Sequence, residues 1–183
     1  MNPKSIESYI VNWLSNYSKK SGLNGFVVGV SGGIDSAVTS TLCAKTALNT
    51  IVLNMPIHQK SNQFDRSSEH INWLKNNFEN VSSHEINLTD VYDSFSNALP
   101  NANQDELSMA NLRSRIRMSN LYVFASNKKY LVAGTGNKVE DFGVGFYTKY
   151  GDGGVDISPI ADLLKSEVFK IADHLGIVSS IQK

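Results

Sequence analysis

The segment Phe26-Val27-Val28-Gly29-Val30-Ser31-Gly32-Gly33-Ile34-Asp35-Ser36 constrains this chain more than any other. A short β-branched apolar run of this kind is a buried strand. Two adjacent glycines follow it, and then a helical pattern from Ser36 to Leu48, so the local order is strand, tight turn, helix. Without Cβ atoms, Gly32 and Gly33 let backbone N–H groups converge on an anion. The helix behind them adds its own free N–H groups and the positive end of its dipole. Ser31 and Ser36 contribute hydroxyls. The segment is neither G-x-x-x-x-G-K-[ST] nor G-x-G-x-x-G. Asp35 sets it apart: a carboxylate beside a phosphate cradle needs a cation between the two, and magnesium is the usual one. A plain turn with Asp35 as helix cap accounts for two glycines but not for the whole of SGGIDS.

The rest of the chain repeats the alternation. Ile6, Ile10, Trp13, Leu14 and Tyr17 mark an amphipathic helix over 4–20. TIVLNMP (50–56) is a second buried strand, followed by a helix over 61–78, a third strand over 81–87 and a helix over 88–99 capped by Thr89 or Asp90. Asn103 and Glu106 form a capping-box pattern for a long helix reaching about Asn127. YLVAG (130–134) is a fourth strand, and Asp162 is placed to cap a last helix ended by Gly176. Continuously apolar strands alternating with helices predict an α/β fold, a doubly wound parallel sheet with helices on both faces. Ligands then lie beyond the carboxyl ends of the strands. No linker or repeat interrupts residues 1–183, so one domain is expected.

Composition narrows the function classes. Seventeen basic residues balance seventeen acidic ones, which argues against nucleic acid or a membrane surface held by bulk charge. Cys43 is the lone cysteine, so neither an internal disulfide nor a multi-cysteine zinc site is open to the chain. It suits a reducing compartment. With no export signal and no long apolar run, a cytoplasmic location is expected.

Glycine is unevenly spread: five of thirteen fall between Gly22 and Gly33, and seven between Gly134 and Gly154. The second window, GTGNKVED (134–141) leading to GFYTKYGDGGVDISPIADL (145–163), mixes glycine with Lys138, Lys149, Glu140, Asp141, Asp152 and Asp156. It reads as a site for a phosphate- and metal-bearing ligand, or as a solvated surface loop. Three of four arginines, Arg113, Arg115 and Arg117, crowd into five residues. On a helix, Arg113 and Arg117 share a side while Arg115 points about 200° away.

SGGIDS resembles the pyrophosphate loop of the N-type ATP pyrophosphatases, which cleave ATP between the α and β phosphates. GTGNKVED with GFYTKYGDGGVDISPIADL, and NLRSRIRM (111–118), resemble the NAD synthetase branch in particular. The resemblance implies an adenine nucleotide alpha hydrolase-like fold and amidation of deamido-NAD by ammonia, with ATP as co-substrate and Mg2+ as metal. It implies that Gly29, Val30, Ser31, Gly32, Gly33, Ile34, Asp35 and Ser36 hold the ATP phosphates, with Thr135 and Lys165 also on ATP. It assigns magnesium to Asp35 and Glu140, deamido-NAD to Arg115, Lys149 and Asp156, and the catalytic roles to Asp35 and Lys165. Asp141 or Asp152 is the candidate base for ammonium. A homodimer is expected, with Arg113 and Arg117 left to face a second subunit, pair with acids or stay solvated. Residues 54–60 (NMPIHQK) depart from the arginine-bearing version that such enzymes carry after strand two. The match stops at LGIVSSIQK, so the chain is expected to be incomplete at its C-terminus relative to the family and poorly active alone. The competing readings are another pyrophosphatase, GMP-forming or tRNA-modifying, and a non-catalytic nucleotide-binding fragment.

Overall fold

The computed structural model describes residues 1–100 and 104–182. Four parallel strands form the sheet: β1 (Gly25–Gly29), β2 (Asn49–Asn54), β3 (Val81–Glu85) and β4 (Leu131–Val132), in the order β3-β2-β1-β4. The helices are α1 (Pro3–Ser21), α2 (Ile34–Lys45), α3 (Ser61–Asn77), α4 (Thr89–Ala98), α5 (Glu106–Lys128) and α6 (Lys165–His174). A π-helical turn, Lys138–Gly143, lies between β4 and α6.

Successive strand residues point to opposite faces, and β1 shows what each face buries. Phe26 and Val28 pack with Leu14 of α1, Val38 and Leu42 of α2, and Val168 and Ile171 of α6. Val27 points the other way, to Tyr92 of α4 and to Met109 and Ala125 of α5. Both faces are covered, as all-parallel strands require. The sheet is therefore doubly wound, and every strand delivers its carboxyl end to one edge.

Several boundaries differ from those the sequence predicts. β4 has two residues, because the chain turns away after Val132 and Ala133 makes only a bridge to Ile157. Asp162 caps nothing: α6 starts at Lys165, and the Leu164 N–H donates to the Glu167 carboxylate at 2.9 Å. α4 likewise begins without a Thr89 or Asp90 cap, since the Thr89 N–H donates to Asn87 Oδ1 at 2.9 Å. Asn103 lies outside the described residues, and α5 is capped by Asp105, which accepts from the Ser108 N–H at 3.0 Å. No helix among the described residues is long and apolar enough to cross a membrane.

Candidate functional site

The loop after β1 is built as its sequence requires. Gly32 sits at φ +80°, in the left-handed region that glycine enters freely. A Cβ there would meet the Gln63 carbonyl oxygen at 2.5 Å, so α3 presses directly on the turn. Val30 and Ile34 bury their side chains in the core and leave only backbone to a ligand. Ser36 is also buried: its hydroxyl donates to the Gly33 carbonyl at 2.9 Å and accepts from the Ser31 N–H at 3.2 Å. Ser36 thus shapes the loop, whereas Ser31 and Gly33 are exposed. α2 opens at Gly33 with no side-chain cap, which leaves its first N–H groups free for an anion.

The second glycine window folds over this loop. The two form a cleft lined by Ser31, Gly33, Asp35 and Ser36 on one side and by Thr135, Gly136, Glu140, Asp141, Phe146 and Asp152 on the other. The Lys165 ammonium, from the start of α6, reaches between Asp35 Oδ2 and Glu140 Oε1, 2.9 Å from the latter. Burial pulls its pKa down, but the two carboxylates more than reverse that and hold it above the usual lysine value. Asp141 is pushed up to about 6, first by burial and then by Asp152, Glu140 and Asp35. Four carboxylates against one ammonium make an acidic cleft beside the Gly32-Gly33 turn.

That donor set bears on magnesium. Among the described residues no three His, Cys, Asp or Glu side chains form a closed metal cage. Two carboxylates converging on one cationic point are nevertheless what magnesium takes when phosphate oxygens and water complete its shell. The ammonium marks that point here, so the residues fit the ion.

The residues expected to hold the second substrate lie to the side, along α5. The Arg115 guanidinium donates to the Lys149 carbonyl at 3.1 Å, which joins two of the three. Asp156 accepts from Tyr122 Oη at 3.0 Å and from the Val132 N–H at 2.8 Å, which pins the third to β4. Burial and the neighbouring Asp156 push the Tyr122 phenol up to about 12. Asp152 links the two regions: Ser114 of α5 donates to its carboxylate at 2.6 Å, and the carboxylate also lines the cleft. The arginines diverge as helical geometry demands. Arg113 lies 4.8 Å over the Tyr92 ring, and Arg117 donates to the Met55 carbonyl at 2.9 Å. Among the described residues neither forms an ion pair.

Asn137, Tyr122 and Ser114 carry this geometry, and the sequence reading gave them no role. Asn137 had a signal: Asn137-Lys138-Val139-Glu140 fits the spacing of a capping box. Tyr122 and Ser114 had none, because their partners are 34 and 38 residues away.

Comparison with known proteins gives a consistent picture. A family model described as NAD synthase matches residues 6–183. The NH3-dependent NAD+ synthetase of Carboxydothermus hydrogenoformans is 40% identical over 176 residues, covering 94% of this chain and 70% of that protein. The enzyme of the same name from Saccharolobus solfataricus is 41% identical, covering 97% of this chain and 62% of that protein. Among solved structures, that of NMN synthetase from Francisella tularensis superimposes with a TM-score of 0.93 at 33% identity, covering all of this chain and 74% of the other. The chain thus spans about two thirds of the length of these relatives.

Proposed function

The chain belongs to the NAD synthase family, and on that premise we propose that it amidates the nicotinate carboxylate of deamido-NAD with ammonia, coupled to cleavage of ATP into AMP and pyrophosphate. The observation that carries this reading is the meeting of Asp35, Glu140 and Lys165 beside the SGGIDS loop. A carboxylate oxygen is a poor leaving group, so it must first be activated. One carboxylate oxygen attacks the α phosphorus of ATP, the bond to the β-phosphate oxygen breaks, and pyrophosphate leaves with that electron pair. Ammonia then attacks the acyl carbon, the bond to the AMP oxygen breaks, and the new nitrogen gives up a proton.

The protein's part is alignment and charge neutralisation. The Gly32-Gly33 backbone and the first turn of α2 bind phosphate oxygens. Lys165, released from its carboxylates, follows the leaving pyrophosphate charge. Asp35 and Glu140 would hold magnesium, which supplies charge neutralisation between carboxylate and phosphate. Both candidate bases line the cleft; Asp141, its pKa raised to about 6, is favoured over Asp152, whose Oδ1 already accepts from the Ser114 hydroxyl and the Thr148 N–H. Arg115, Lys149 and Asp156 orient deamido-NAD alongside α5, and Thr135, three residues beyond β4, contacts ATP from the cleft wall. We place the enzyme in the cytoplasm and as a homodimer.

Pyrophosphate release tests the reading. With ATP, magnesium and ammonium present, release should require deamido-NAD; ATP binding without such release would leave a nucleotide-binding module. Asp35→Ala should lower kcat by roughly 100-fold or more while leaving the circular-dichroism spectrum unchanged. The close superposition on an NMN synthetase favours a second reading, in which the acceptor is nicotinate mononucleotide. Comparing kcat/KM for the mononucleotide and deamido-NAD separates the two.

A further inference from the structure

Asn137 is completely buried although it opens an exposed loop. Its Nδ2 donates to Asp35 Oδ1 at 3.1 Å. Its Oδ1 accepts from the Val139 N–H at 3.0 Å and from the Glu140 N–H at 3.1 Å. One planar amide therefore ties the carboxylate of Asp35 to the backbone that carries Glu140, two residues 105 positions apart in the chain. The contact on Oδ1 leaves Asp35 Oδ2 to face the point it shares with Glu140 Oε1, where the Lys165 ammonium sits.

We propose that Asn137 is a positioning residue for the divalent cation: it fixes which oxygen of Asp35 faces the shared point and how far that oxygen lies from the Glu140 carboxylate. The inference rests on the reading of Asp35 and Glu140 as magnesium ligands. The chemistry calls for asparagine. Its amide presents a donor and an acceptor on one rigid plane. Aspartate would keep the acceptor but set a second negative charge against Asp35. Serine or threonine would serve the N–H groups of the turn, as caps do, but would stop short of Asp35. Lys165 touches both carboxylates too, but from a flexible, part-exposed stem, so it follows their arrangement and does not set it.

The test is a manganese titration of the whole chain, read by electron paramagnetic resonance with α,β-methylene-ATP bound. Asn137→Ser and Asn137→Thr should each weaken Mn2+ binding roughly 10- to 100-fold, the range seen when partners of metal ligands are removed. Their melting temperatures should stay within a few degrees of wild type, and affinity for the analogue without metal should not change. Unchanged Mn2+ affinity in both variants overturns the proposal. So does failure of both to fold, which would make Asn137 a purely architectural cap. A wild-type chain that binds the analogue but no Mn2+ overturns the magnesium reading beneath it.

Discussion

His70 is the residue at which this fold is most exposed to acid. It lies on α3 at 0% exposure, its Nε2 3.0 Å from Ser40 Oγ, its ring stacked on Trp73, and its Nδ1 without a hydrogen-bond partner among the described residues. Burial pulls its pKa down to about 4, against a smaller opposing pull from the Ala37 backbone. The folded state thus binds this proton less readily than the unfolded chain, whose histidine titrates near 6.5. Stability from this group is full above pH 6.5 and drains away as the pH falls towards 4, by up to about 3 kcal/mol. Denaturant titrations from pH 7.5 to 4.5 should show that loss in wild type and a much flatter dependence in His70→Gln. Equal slopes would mean that another group governs acid unfolding.

Two glycines separate architecture from chemistry at the scale of elements. Alanine at Gly32 would strain a positive φ and drive a methyl group into the backbone of α3. A cost of roughly 1–3 kcal/mol is expected, a drop in melting temperature of roughly 2–12 °C, together with weaker ATP binding. At Gly136 the added Cβ would fall 1.6 Å from Asp141 Oδ2, which is the movable end of a side chain. Gly136→Ala should therefore melt near wild type while losing roughly 10-fold or more in turnover, as the cleft carboxylate is displaced. Calorimetry beside steady-state kinetics distinguishes these outcomes. The same contrast explains how far the sequence could be read. β1, β2, the loop and the helix that follows it are legible because each is a local pattern of apolar runs and glycines. The start of α6 is not, because Leu164 borrows Glu167 from inside the helix where Asp162 looked like the cap. β4 shrinks to two residues because its extent is decided by where Ile157 returns, not by YLVAG itself. The role of Asn137 is written half locally, in its capping pattern, and half in Asp35, which no window of sequence contains.

At the scale of the whole molecule, the α4–α5 side presents apolar side chains to solvent. Val91 and Phe95, one turn apart on α4, are 52% and 51% exposed, and Val123 on α5 is 66% exposed. If the proposed homodimer forms through these helices, light scattering should give about twice the 20.1 kDa chain mass, and Phe95→Glu should return it to one chain. A single-chain mass for wild type at micromolar concentration would remove the dimer from the proposal. The layout of the cleft carries a consequence of another kind. Asp35 meets Asn137 and Lys165 from 102 and 130 residues away. At ribosomal speeds of about 5–20 residues per second, the phosphate loop leaves the tunnel roughly 7–26 s before Lys165 does. Asp35 waits for its amide partner until Asn137 emerges and for its counter-ion until Lys165 does, so the nascent chain carries the proposed nucleotide loop well before the cleft around it can close.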